Sequence, residues 1–301
     1  MNKLYIALTL CFASAQILFA GDKLNVVATL STYADIAKKI GQDKVEVHYI
    51  VPGNQDAHFV RPKPSYAVIM NEANIFISTG LDLELWAPSL VDMSKNPKIR
   101  SGQIGYVAAS AGIDLLDKPD ILSRSEGGLH IYGNPHIITG PLNFAVIAEN
   151  ITIGLEKNDP GSGAYYRKNL HSFKEILYRY IFGKDLVGLL GGDLLTKLTL
   201  SGNLIDFLSS KSYKDKKLID YLGGWMKRGM IFRDKKIVCY HKNWIYFEQM
   251  FGVTVIGYVE PKPGIPPSPK HVEELIQDMR KNNIKISLFR FLKSKFFKEA
   301  C

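Results

Sequence analysis

Short β-branched runs alternate with helical segments in two separate stretches of the chain, and this alternation restricts the fold more than any other feature. Residues 24–30 are apolar and β-branched; Ser31-Thr32-Tyr33 then offers a cap, and residues 34–41 a helix stopped by glycine. Residues 45–51 alternate as a second strand, 64–71 read as a helix, and 75–80 as a third strand. The pattern returns with strand 237–240, helix 244–251 and strand 253–259. The proline-rich stretch 260–267 cannot be regular structure, because proline fixes φ and removes a donor. Ser268-Pro269 then opens a helix reaching about Asn282, and 284–289 read as a further strand. Between the two series, Asp159 and Pro160 suit a helix start, and Tyr165, Tyr166, Leu170, Phe173, Ile176, Leu177, Tyr180 and Ile181 form an apolar stripe on one long helix. Residues 186–222 are helical with breaks at Gly191-Gly192 and 211–217. Such alternation predicts open, mostly parallel α/β sheets, which bind ligands beyond the C-terminal ends of their strands. The expected fold is α/β in two lobes facing each other across a cleft, each a mostly parallel sheet flanked by helices. The divisions are 1–20, 21–158 (N-terminal lobe), 159–185 (linking helix) and 186–301 (C-terminal lobe).

Residues 1–20 carry one cation, Lys3, before the mostly apolar run 4–20, and Ala20-Gly21-Asp22 offers a cleavage point. This is the pattern of a secretory signal peptide, so export to the periplasm is expected. Cys11 follows Leu10 where a lipoprotein site wants a small residue, so no lipid anchor is expected. Cys239 lies in an apolar run and Cys301 is the last residue; no structural disulfide is expected between them. The formal net charge of +9 would permit a nucleic-acid or anionic-membrane partner. However, residues 281–301 hold six Lys/Arg against the single acid Glu299, so more than half of the excess sits in that segment. No nucleic-acid partner is expected.

Seven histidines are the candidates for chemistry. His48 sits in a strand, His171 in the long helix and His271 in a first helical turn, all ordinary places for a polar side chain. His58, His136 and His241 differ, because each stands at a junction leaving a strand or entering a helix, among Pro, Gly or Asn residues. Three imidazoles meeting at the rim of parallel sheets would suit a borderline transition metal, above all zinc. Loop histidines at sheet edges are common, so spacing alone leaves this open. The chain has no Gly-x-Ser-x-Gly elbow, no His-Glu-x-x-His helix and no phosphate-binding Gly-x-x-x-x-Gly-Lys-Ser/Thr loop.

Several segments carry a resemblance. Val51-Pro52-Gly53 leads to Asp56-Ala57-His58-Phe59-Val60-Arg61-Pro62-Lys63-Pro64-Ser65; Gly133-Asn134-Pro135-His136 and Tyr240-His241 follow in order, with Phe247 and Phe251-Gly252. The run from Val259-Glu260-Pro261-Lys262 to Ser268 matches the next loop of one subgroup. With these, the chain resembles the zinc/manganese-type metal-binding proteins that serve ABC importers, the cluster A-I solute-binding family, over nearly all of its mature length to about Phe289. The resemblance implies two lobes joined by a rigid backbone helix, with His58, His136 and His241 as metal ligands. It implies Zn²⁺ as transported ligand, with Mn²⁺ second, since a third ligand that is histidine accompanies zinc and glutamate accompanies manganese. It further implies a monomer that delivers metal to a membrane permease of an ABC importer and catalyses no reaction.

Three departures accompany it. Lys242 follows the third histidine, where an acidic or small residue is usual. Where zinc-specific members carry a His- and Asp-rich loop, residues 122–132 offer only His130, either a plain loop histidine or an auxiliary ligand. The family continues past the strand matched by 284–289 with a helix, a strand and an acidic fourth ligand, and residues 290–301 match none of these. The C-terminal lobe is therefore expected to be incomplete, with Glu260, Asp56, Glu299 or water left to complete the metal shell. A nonfunctional truncated remnant is one alternative. A zinc hydrolase is another, since three histidines and one open water position are the count such an enzyme needs, with Asp56 and Glu260 the nearby bases.

Overall fold

The computed structural model describes residues 23–118, 130–262, 264–284 and 287–288. The expected signal peptide, Cys301, Glu299 and the basic tail lie outside the described residues. The chain opens with β1 (Leu24–Leu30), α1 (Ser31–Gly41), β2 (Val45–Val51), α2 (Pro64–Asn71), β3 (Ile75–Ser78), α3 (Ala87–Ser94) and β4 (Tyr106–Ala108). All pairings are parallel, in the order β2-β1-β3-β4. Val26, Val27 and Ala28 of central β1 are buried, as expected where helices cover both faces of a parallel sheet. Ile36 and Ile40 of α1 join Ile75 and Ile77 of β3 in one core with Ile147 and Ile151 of α4 (Asn143–Asn158). Helix α1 begins at Ser31 itself, with no side-chain cap, so Ser31-Thr32-Tyr33 forms the first turn rather than preceding it. The tight β1-to-α1 junction leaves no residue over for a cap, and Tyr33 is buried.

A 3₁₀ turn, Pro160–Ser162, precedes the long helix α5 (Gly163–Phe182). Tyr166, Leu170 and Phe173 face the first core, whereas Leu177, Tyr178, Ile181 and Phe182 face a second, so one helix serves both. Ile176 and Tyr180 of the expected stripe are exposed instead. At 3.6 residues per turn they fall off the seam that runs through Phe173, Leu177 and Ile181; Tyr180 stacks on Trp225. The second core is helical: α6 (Lys184–Leu190), α7 (Gly192–Leu200) and α8 (Leu204–Ser210), then a hairpin of β5 (Ser212–Tyr213) and β6 (Lys216–Lys217), and α9 (Gly224–Gly229). Gly183, with φ +87°, ends α5 where a Cβ would stand 2.7 Å from the Cα of Gly223. That approach lets Gly223 N–H donate to Phe182 O at 2.8 Å, tying α9 to the end of α5.

The second sheet comprises β7 (Lys236–Cys239), β8 (Thr254–Tyr258) and β9 (Ser287–Leu288), parallel in the order β8-β7-β9, with α10 (Ile245–Phe251) and α11 (Pro269–Lys281) completing the unit. The Ser268 hydroxyl accepts from the backbone N–H of His271, the N-cap that Ser268-Pro269 predicts. Cys239 is buried and free. The fold is thus α/β, with parallel sheets, flanking helices and one long helix joining the core of the first sheet to the helical core. No helix among the described residues is long and apolar enough to cross a membrane.

Glu84 lies beyond the end of β3, almost wholly buried. Its Oε1 accepts from the Thr29 hydroxyl at 2.6 Å and from the Thr79 N–H and hydroxyl at 3.1 and 2.8 Å, while buried Oε2 has no hydrogen-bond partner. Burial pushes its pKa above the ordinary 4.5, against the pull of these donors. The folded protein therefore holds this proton to higher pH than the unfolded chain. Stability falls as pH rises from about 4.5 towards the raised value, by at most about 1.4 kcal/mol per pH unit. In urea titrations across this range, Glu84→Gln is expected to flatten that component of the slope. An unchanged slope would place the proton elsewhere.

Candidate metal centre

The site forms where both parallel sheets present the C-terminal ends of their strands. The loop after β2 carries His58. Its backbone is turned by Gln55 N–H donating to Pro52 O at 3.0 Å and is fixed by the Trp86 indole N–H on Ala57 O at 2.8 Å. Asp56 Oδ1 stands 2.9 Å from both the backbone N and the Nδ1 of His58. The loop before α4 repeats this device: Asn134 Oδ1 accepts from the backbone N–H of His136 at 3.1 Å and from its Nδ1 at 2.8 Å. In each case an Asx residue two positions upstream folds its side chain over the following backbone and holds the ring as well. His241 follows β7 directly, and its Nδ1 lies 2.6 Å from Oε2 of Glu260, which follows β8. The second oxygen, Glu260 Oε1, accepts from the N–H of Gly264 at 2.7 Å.

These three oxygens act as acceptors, so each Nδ1 carries the proton and each Nε2 keeps its lone pair. The ring centres of His58, His136 and His241 stand 5.1, 5.5 and 5.1 Å apart, and the donor atoms of the three all lie within 4.8 Å of one another. His136 is 6% exposed, and the His241 Nε2 is buried without a hydrogen-bond partner. Burial lowers the His241 pKa, opposed by Glu260, which keeps a neutral, metal-ready imidazole to lower pH. A buried cluster of nitrogen lone pairs, each ring fixed through its other nitrogen, is the donor set of a zinc-type site.

The structure therefore brings together all three histidines singled out from the sequence. His48 is half-exposed beside Glu46, His171 is exposed on α5, and His271 bonds the Tyr258 carbonyl through Nε2 at 2.9 Å. His130 stands beside His58, with its Nδ1 2.9 Å from Asp82 Oδ1. Nothing local in the sequence marks Asp82, because 48 residues separate it from His130. Asp56, expected from the sequence as a possible fourth ligand or base, instead orients His58, and Asn134 orients His136; both stand at an Asx-x-His spacing. Asp56 and Glu260 each hold an Nδ1, so neither is poised as the base that a hydrolase requires. Lys242 pairs with Asp117 at 2.9 Å. The His136 segment is bonded to the opposite half of the chain: Asn134 Nδ2 donates to Lys242 O at 2.9 Å, the Thr139 hydroxyl to Asn243 O at 2.8 Å, and the Tyr246 hydroxyl to Asn134 O at 2.6 Å.

Comparison with known proteins finds metal-transport relatives. The family described as "ZnuA: Zinc-uptake complex component A periplasmic" matches residues 26–180, just over half of the chain. The manganese ABC transporter substrate-binding lipoprotein PsaA of Streptococcus mitis is 32% identical over 176 residues, covering 57% of this chain and 54% of that protein. The chain thus spans about half the length of the curated relatives it matches. Among solved structures, a ZnuA deletion mutant with zinc bound superposes with a TM-score of 0.63 at 23% identity, covering 93% of this chain and 85% of that one. The Pseudomonas aeruginosa binding protein FpvC in complex with Mn²⁺ gives 0.63 at 19% identity, covering 92% and 84%. At these identities the likeness speaks for the fold.

Asn134→Ala leaves all three candidate donors in place but frees the His136 ring. The expected result is a loss of zinc affinity of about 10- to 100-fold, the usual cost of removing a ligand's orienting partner, measured by competition with a chromophoric chelator. Unchanged affinity would show that the ring needs no such anchor.

Proposed function

Because the chain belongs to the ZnuA family of periplasmic zinc-uptake components, we propose that it is an extracytoplasmic solute-binding protein that captures Zn²⁺, with Mn²⁺ as second choice, through His58, His136 and His241. The observation that carries this reading is the convergence of three imidazoles with every Nδ1 engaged by an oxygen and the lone pairs turned inward. Nitrogen donors favour zinc, whereas manganese favours carboxylates and water. The ion is cargo in this reading: residues 21–158 and 186–301 form the lobes around it, and 159–185 link them. The protein works in the periplasm as a monomer and hands its metal to the membrane permease of an ABC importer. The names of its relatives, which are transporter substrate-binding proteins, support that partner.

Isothermal titration of the chain with ZnCl₂ is expected to give one site, with Mn²⁺ binding more weakly, and His241→Ala is expected to cut zinc affinity at least about 100-fold. Protons compete with the metal for imidazole, so affinity should fall steadily below about pH 6.5. Burial holds the His241 pKa below its ordinary value, so this ring stays unprotonated, and able to bind metal, to lower pH than a free imidazole. A chain that takes up no zinc at neutral pH would sink the proposal.

A further inference from the structure

His130 adjoins the three-histidine set and is held there by hydrogen bonds of its own. Its Nε2 lies 3.4 Å from the Nε2 of His58. Its Nδ1 faces Asp82 Oδ1 at 2.9 Å, and Asp82 Oδ2 accepts from the backbone N–H of Ile131 at 3.3 Å, so one carboxylate fixes both ring and backbone. Side chains of His130 and Asp82 are each only 16% exposed. An ionised carboxylate only accepts hydrogen bonds, so the proton sits on Nδ1 and the lone pair on Nε2. Asp56 imposes the same tautomer on His58. With both protons on Nδ1, the two Nε2 atoms stand 3.4 Å apart as acceptors, a pairing that a cation shared between them would stabilise.

The spacing fits a particular cation. Zinc holds imidazole nitrogens at about 2.0–2.1 Å in a tetrahedron, and the edge of that tetrahedron is about 3.3–3.4 Å. The ring centres agree: His130 stands 5.4 Å from His58 and 5.6 Å from His136, against 5.1–5.5 Å among the other three rings. The 4.8 Å set closes without His130, which approaches from the His58 side.

Resting on the reading of the three histidines as metal ligands, we propose that His130 is the fourth donor, closing over the ion to make a four-imidazole site selective for a zinc-like cation, with Asp82 as its positioning residue. The nearby carboxylates Asp56, Asp82 and Glu260 all bind Nδ1 atoms, so the donor set is entirely nitrogen. Such a set disfavours Mn²⁺.

The test uses the full chain with Zn²⁺, Mn²⁺ and, as an optical probe, Co²⁺. Zinc-edge X-ray absorption of the unsubstituted protein should count four imidazoles. His130→Ala should lower zinc affinity by at least about tenfold, since even outer partners of a ligand are worth 10- to 100-fold. It should leave Mn²⁺ affinity less affected and weaken the intense visible bands of tetrahedral Co²⁺. Asp82→Asn should produce a smaller loss of the same sign. A count of three imidazoles, or an H130A protein with unaltered zinc affinity and Co²⁺ spectrum, would overturn the assignment while leaving the three-histidine site standing. No zinc binding by the unsubstituted chain would overturn both. The absorption count does not depend on the variants folding.

Discussion

Everything the site is able to hold follows from where one proton sits on each imidazole. A neutral histidine has one donor nitrogen and one acceptor nitrogen, and an oxygen beside Nδ1 settles which is which. Asp56, Asn134 and Glu260 supply those oxygens from three different loops, and the lone pairs they leave on Nε2 meet in a buried space. The parallel sheets make this feasible, since every loop concerned leaves or approaches the same rim of strand ends. The desolvation that depresses the His241 pKa works in the same direction, because a protonated imidazole is no ligand.

The three loops are not held equally. The His136 segment is tied to the C-terminal half through Asn134 to Lys242, Thr139 to Asn243 and Tyr246 to Asn134, so His136 and His241 form one hydrogen-bonded unit. The His58 loop meets the opposite loop by packing: Gly264, at φ +75°, lets the Phe59 ring lie where a Cβ would be 2.8 Å away. Its firm anchor, Trp86 on Ala57, belongs to its own half. Parting the site along the His58 edge therefore breaks a packing contact, whereas parting His136 from His241 breaks three hydrogen bonds with buried or half-buried partners, each worth roughly 0.5–1.5 kcal/mol. Helix α5 packs into both main cores.

Much of this was legible in the sequence. Central strand β1, helix α2 and the three histidines stand out because local pattern and position coincide: a β-branched run, a proline at a first helical turn, a histidine just outside a strand. Helix α3 and strand β4 carry no such mark, because eight residues behind Trp86 and three residues at Tyr106 give too short a window for any periodicity. Ile176 and Tyr180 misled, since apolar identity at three- and four-residue steps does not say where a buried seam stops. The orienting side chains divide cleanly. Asp56 and Asn134 act two residues upstream of their histidines and are local signals, whereas Glu260 and Asp82 reach their partners across 19 and 48 residues, which only the fold decides.

The zinc preference proposed above rests on the same division of labour. Carboxylates are abundant at this rim, and a site that turned them inward would be an oxygen-rich one suited to manganese. Here Asp56 and Glu260 are engaged at the far nitrogen of a ring, and Glu260 is further fixed by the Gly264 N–H. Moving either carboxylate onto an ion would release an Nδ1 proton from its acceptor and loosen the ring that it orients. On the proposed reading, selectivity would lie less in which residue types surround the site than in which face of each histidine the oxygens occupy.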